Sequence, residues 1–292
     1  MIYLILSILS SAAIFVLFKI FGQRRIDTFQ AIVFNYFAAF TCGFIIEPIP
    51  LQTLEHSVSS WLPWAVFLGV LFIVLFNLIA ITTQRISVAV ATISTKMSIV
   101  IPIVAAVFLY NDSMPFLKVL GIILALTGVV MASWTSEKMR YSSVVFLFPL
   151  ILFVGSGIID LTLKYVQHRY LGDESPGQFA SILFGTAGIV GSIVLIARYF
   201  IKGKGLDFRS MLAGIILGLP NFGSIYFLMK ALAIPGFESS EIFPINNMGI
   251  VLASAFAAVI FFGEKGTKIN RIGVVVSVLA IALIAFHAKI IS

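Results

Sequence analysis

Residues 61–82 read WLPWAVFLGVLFIVLFNLIAIT, an uninterrupted apolar run without a charged side chain. As a helix, a run of this length crosses the hydrocarbon core of a bilayer, which is about 30 Å thick. In lipid, backbone polar groups are satisfied only within helices or closed barrels. Because a barrel strand would alternate apolar and polar residues, the run predicts a transmembrane helix.

Comparable apolar runs recur along the whole chain of 292 residues, of which 60% are hydrophobic and 11% charged. A soluble domain carries roughly 25% charged residues. Short breaks containing charges, Pro or Gly separate the runs, which makes consecutive helices antiparallel neighbours. We therefore expect an all-α integral membrane protein with ten transmembrane helices. The predicted spans are 2–22, 28–46, 61–82, 86–110, 116–135, 143–166, 178–201, 209–232, 239–262 and 270–289.

The chain contains an internal repeat. A shift of 152 positions places Asp112 on Glu264 and Gly121 on Gly273. Five spans lie in each half, so the second copy enters the membrane from the opposite side. Inverted repeats of this kind are typical of secondary transporters. The two predicted five-helix repeats are residues 1–135 and residues 143–292.

A glycine–acid pair ends the ninth predicted span as Gly263-Glu264, and the first half has Asn111-Asp112 at the corresponding place. The pair precedes a span with a small-residue pattern. This arrangement resembles the EamA domain of the drug/metabolite transporter superfamily, although Asn111 departs from the glycine of that motif. The resemblance implies ten helices around a central cavity, with the fifth and tenth helices peripheral, and it leaves the substrate open.

Basic residues are distributed unevenly between the two ends of the predicted bundle, and cytoplasmic loops normally hold the excess. We define the odd-loop end as the end formed by the loops after odd-numbered spans. It holds Arg24, Arg25, Arg85, Lys138, Arg140, Arg198, Lys202, Lys204, Arg209, Lys265, Lys268 and Arg271. The opposite end holds Lys118, Arg169 and Lys289. We therefore expect a cell-membrane protein with both termini outside, in contrast to the orientation usually drawn for EamA-type proteins.

Several function classes are disfavoured by the sequence. The net charge of +7 comes largely from short loops, where membrane topology explains it better than nucleic acid does. Cys42 is the single cysteine, and no Cys/His metal pattern is present. Walker A and HExxH motifs are absent. We expect no enzyme activity, cofactor, metal or nucleic-acid partner, and a monomer or homodimer that contacts lipid and a small-molecule substrate.

Lys96 is the charged residue closest to the middle of a predicted span. It lies about 15 Å into the fourth span, and no acid is three or four positions away. Thr92 and Thr95 share its helix face. Charges inside spans mark functional sites by default, so we predict that these three residues bind a substrate carboxylate or phosphate, or that Lys96 exchanges a proton. The alternative is a permanent ion pair with Asp160.

Asp160 and Lys164 are four residues apart in the sixth span and therefore share a helix face. One interpretation is an internal pair that supports helix packing. The other is a coupling site, in which Asp160 exchanges a proton or cation while Lys164 finds another partner. Lys19 and Lys230 lie near span ends, where we expect long side chains to reach the interface.

Three asparagines complete the predicted substrate site. Asn221 follows a GxxxG pattern at 214–218, which favours close helix packing, and the family resemblance places its helix beside the cavity. Asn246 and Asn247 follow Pro244 in the ninth span. The proline frees backbone carbonyls, so this segment predicts either a small polar site or a satisfied kink.

These observations favour a secondary transporter that exports an amino-acid-like or anionic metabolite by alternating access between its halves, because the deepest unpaired charge is positive. An alternative is an efflux pump for hydrophobic or cationic drugs, which requires an exposed carboxylate such as Asp160. A different class is an intramembrane enzyme or a lipid-handling scaffold.

Overall fold

The computed structural model describes residues 2–48, 58–110, 115–133, 143–166, 169, 176–203, 205–232, 239–264 and 266–291. Within these ranges the chain forms eleven helices and no strand. The helices are α1 Ile2–Gln23, α2 Thr28–Ile46, α3 Val58–Arg85, α4 Val88–Met97, α5 Val100–Tyr110, α6 Phe116–Ser133, α7 Ser143–Val166, α8 Pro176–Lys202, α9 Phe208–Leu232, α10 Ser239–Phe262 and α11 Lys268–Ile291.

The helices follow the predicted spans to within a few residues. Among the described residues, eight segments are long and apolar enough to cross a membrane, and residues Val119–Ala132 form a shorter apolar helix. The prediction of an all-α multi-pass membrane protein is confirmed in this form. The layout of ten spans as two inverted repeats stays a prediction.

The fourth predicted span, residues 86–110, corresponds to a candidate membrane span at Val88–Ala105, but a turn at Ser98 and Ile99 divides it into α4 and α5. The cause is Pro102, which has no N–H to donate to the carbonyl four residues earlier. Instead, the Ile101 N–H donates to the Ser98 carbonyl at 2.9 Å. The turn lies two residues beyond Lys96, within the membrane-spanning segment.

Two main hydrophobic cores meet along α4, α7 and α10, which contribute buried side chains to both. The first core otherwise contains α1, α2, α3, α8 and α9, with Phe18, Tyr36 and Phe184 among its largest side chains. The second core otherwise contains α5, α6 and α11. Each core therefore combines helices from both predicted repeats, and the two halves of the chain are intertwined.

The most extensive contacts join α6 to α11 and α2 to α9. At the second of these seams, glycine lets the backbones approach closely. A Cβ atom at Gly218 would lie 2.8 Å from the Asn35 carbonyl oxygen, and one at Gly214 would collide with the Ala31 carbonyl. The GxxxG pattern of α9 therefore packs helix against helix, as such patterns commonly do in membranes.

Candidate solute site at the break in the fourth span

Lys96 on α4 and Asp160 on α7 carry opposite charges and are close enough to interact electrostatically. Among the described side chains, however, they do not form an ion pair with a nitrogen–oxygen distance of 4.0 Å or less. The two helices therefore present an ammonium and a carboxylate that attract each other across a gap. Of the side chains that the structure describes, Ser98 hydrogen-bonds Asp160 and none hydrogen-bonds the Lys96 ammonium.

Asp160 is exposed although it points away from the lipid-facing side of α7. The exposed residues Ile151, Val154 and Ile158 mark that lipid-facing side. At about 100° per residue, Asp160 projects about 160° away from Ile158. Ionisable side chains within membrane spans almost always face the bundle interior or a water-filled cavity. The position of Asp160 on α7 fits that pattern.

Ser98 connects the helix break to Asp160. Its Oγ atom lies 2.6 Å from the Thr95 carbonyl oxygen and 3.2 Å from Asp160 Oδ2. A serine hydroxyl has one proton and therefore donates to one of these acceptors at a time. The sequence analysis missed Ser98 as a site residue. The available signal was Pro102, four positions later, which predicts a disturbed backbone at residue 98.

Thr92 and Thr95 are buried on α4, and their hydroxyls are used within the helix. Thr92 Oγ1 donates to the Val88 carbonyl at 2.9 Å, and Thr95 Oγ1 lies 3.0 Å from the Ala91 carbonyl. Such bonds satisfy a hydroxyl inside a membrane helix. Both threonines can still accept a hydrogen bond, but their protons are already engaged.

The three predicted asparagines lie on α9 and α10. Asn221 and Asn246 are buried, and Asn221 Nδ2 and Asn246 Oδ1 have no hydrogen-bond partner within the described part of the chain. Asn247 is half-buried. Leaving a buried amide atom unsatisfied costs about 1–3 kcal/mol, so a water or a solute is expected beside these two. No described hydrogen bond links these asparagines to the Lys96–Asp160 pair.

The predicted pairing of Asp160 with Lys164 lies outside the described residues, because the Lys164 side chain is not among them. Lys230 is exposed at the end of α9, with its ammonium 5.4 Å from the centre of the Tyr226 ring. An exposed ammonium at the end of a helix agrees with the prediction for Lys230.

Lys19, near the end of α1, forms an ion pair at the end of the bundle. Its ammonium lies 2.7 Å from Glu264 Oε1, and the two side chains are 18% and 16% exposed. Lys19 thus points into the bundle and pairs with the acid of the glycine–acid motif. Sequence reasoning had no means to join two residues 245 positions apart.

Residues 1–134 match the model of the EamA-like transporter family. The family resemblance is confirmed. The EamA-like family belongs to the drug/metabolite transporter superfamily, and its match covers the part of the chain that includes α4, α5 and Lys96.

Other matches cover nearly the whole chain. The chain is 28% identical over 296 residues to an uncharacterized protein of Haemophilus influenzae, with 99% of each chain aligned. It also resembles a solved crystal structure with a TM-score of 0.61, covering 97% of this chain and 98% of the other at 12% identity. The second likeness concerns the fold alone.

Proposed function

We propose that this protein is a secondary transporter of a small metabolite and that Lys96 and Asp160 form its solute site. The EamA-like match supports the transporter class. The observation that carries the proposal is the pair of opposite charges on α4 and α7, which interact within the membrane-spanning bundle without a direct ion pair among the described side chains. Unpaired charges are costly within a membrane and mark solute or ion pathways.

Within the amino-acid-like or anionic class, the site favours a zwitterion. A substrate carboxylate would bind the Lys96 ammonium, while a substrate ammonium would bind the Asp160 carboxylate. Both bonds would be charge-assisted, which makes them stronger than neutral ones. A cationic drug would meet repulsion from Lys96, and this disfavours the multidrug alternative.

The broken helix supports a site at the same depth. Membrane transporters commonly bind solutes where a helix is interrupted, because the freed backbone groups and the helix termini supply charge and hydrogen bonds. Here α5 begins two residues after Ser98, so its positive N-terminal end lies near Asp160 and Lys96. These groups would help to hold an anionic part of the solute.

We propose export by alternating access, with the site open to each side in turn. Support for the direction comes from charge, since the basic odd-loop end is predicted to be cytoplasmic. A positive potential at that mouth would concentrate solutes that carry a carboxylate. Export therefore accords with a cargo of net negative charge that is made inside the cell.

A thermal-shift screen of the purified protein against amino acids and related acids tests this proposal, followed by flux measurements in liposomes. A bound solute raises the apparent stability. We expect Lys96→Ala to abolish both the ligand-induced shift and the flux while the protein still inserts. The exposed Lys230→Gln is the matched control and should transport normally. Normal flux by Lys96→Ala would contradict the proposed site.

A further inference from the structure

An ion pair joins α1 to the end of α10 at the odd-loop end of the bundle. Lys19 Nζ lies 2.7 Å from Glu264 Oε1, and both side chains are largely buried. Lys19 lies on a helix of the first core, whereas Glu264 follows a helix shared by both cores. The two residues also belong to different predicted repeats. We call Lys19 and Glu264 the closing pair.

A glycine turn directs Glu264 back into the bundle. Gly263 follows α10 with a φ of +61°, in the left-handed region that favours glycine. The Glu264 N–H then donates to the Ala258 carbonyl at 3.1 Å. This turn brings Glu264 Oε2 to the start of α4, where it accepts a hydrogen bond from the Val88 N–H at 3.3 Å.

The closing pair holds both sides of the connection between α3 and α4. Lys19 Nζ donates to the carbonyl of Thr83, in the last turn of α3, at 3.3 Å. Glu264 binds the N–H of Val88, the first residue of α4. Val88 lies eight residues before Lys96, so this contact is about 12 Å along α4 from the candidate solute site.

A second ion pair at the same end provides a comparison. Arg198 Nη2 lies 3.2 Å from Asp27 Oδ2, and its guanidinium carbon lies 4.9 Å from the centre of the Phe29 ring. This pair connects α8 to the start of α2, and both helices contribute to the first core only. It therefore lies within the first core, whereas the closing pair joins α1 to the end of a helix that also contributes to the second core.

We propose that the closing pair keeps the odd-loop end of the solute path shut and breaks when that end opens. This inference rests on the proposed transport function. A solute that leaves Lys96 toward the odd-loop end passes along α4 and must pass Val88. Opening there separates α1 and α3 from α4 and α10, and so it separates Lys19 from Glu264 and each residue from its backbone partner.

An Ala89→Cys variant in a Cys42→Ser background measures how readily water reaches the odd-loop end of the solute path. Ala89 is half-buried and lies two turns from Lys96 on the same face of α4. An ion pair of limited exposure contributes modestly to stability. We therefore expect Lys19→Gln and Glu264→Gln each to increase the labelling rate of the cysteine at position 89 about fivefold. The label is an impermeant maleimide added from the odd-loop side.

Two controls accompany this measurement. Arg198→Gln, which breaks the comparison pair within the first core, should leave the labelling rate unchanged. Combining Lys19→Glu with Glu264→Lys should bring the rate below that of either neutral variant. Unchanged labelling in both neutral variants, in protein with a normal thermal unfolding midpoint, would overturn the proposal.

A Lys19→Cys, Glu264→Cys double variant in the Cys42→Ser background gives a second, independent test. A short bifunctional thiol reagent should then stop solute flux, and its reductive release should restore it. Flux that persists through the cross-link would overturn the closing role. If the neutral variants increase labelling but no solute is transported, the transport proposal alone is rejected. If solute is transported but the variants leave labelling unchanged, the closing pair alone is rejected.

Discussion

At the scale of single residues, the consequential arrangement is a lysine and an aspartate that face each other without touching. Lys96 and Asp160 interact electrostatically between α4 and α7, and the Ser98 hydroxyl lies 3.2 Å from the carboxylate. A solute that carries both charges can satisfy both side chains at once, which neither a simple acid nor a simple amine can do.

This arrangement predicts a change in selectivity for Asp160→Asn. The wild-type protein should prefer an amino acid over the same acid without its amino group. In the variant, the preference should fall by about tenfold or reverse, since a charge-assisted hydrogen bond contributes roughly 1.5–3 kcal/mol. Competition flux assays with the two solutes measure this ratio. An unaltered preference would remove Asp160 from the solute site.

Some site residues could be predicted from the sequence and others could not. Lys96 and Asp160 stand out because charges are rare within apolar runs. Ser98 does not stand out, since its role comes from a break whose position depends on Pro102 and on the helix opposite. The pairing of Lys19 with Glu264 joins distant positions, and no local pattern specifies such a contact.

At the scale of helices, the broken fourth span is the element that shapes the site. Periodicity and length predicted its ends well, because both depend on apolar composition. The interruption was not predicted, since a proline in a membrane helix produces either a gentle kink or a full break, depending on its neighbours. Here the Ser98 hydroxyl and the Ile101 N–H satisfy the freed carbonyls.

Restoring the missing backbone donor should therefore impair transport without unfolding the protein. Pro102→Ala permits a continuous helix through residues 97–101, which is favourable by up to about 3 kcal/mol for the helix itself. We expect an equal or higher unfolding midpoint together with flux lowered about tenfold. Pro63→Ala, which replaces an exposed proline of α3, is the matched control. A transport rate equal to wild type in Pro102→Ala would show that the break is dispensable.

At the scale of the whole molecule, orientation follows from charge. The basic residues of the odd-loop end outnumber those of the opposite end twelve to three, by the residues named above. Loops rich in Lys and Arg remain in the cytoplasm. We expect a fluorescent reporter that folds only in the cytoplasm to stay dark at both termini. A bright signal from both ends would reverse the orientation and place the closing pair outside.

The seam between α2 and α9 has a consequence for biosynthesis. Ala31 and Gly214, which meet there, are separated by 183 positions in the chain. At roughly 5–20 residues per second, the ribosome needs about 10–40 s to deliver the second after the first. During that interval the face of α2 that packs against α9 lacks its partner helix. Chaperones and membrane proteases therefore meet a half-made protein whose first core is incomplete until the ninth span has been translated.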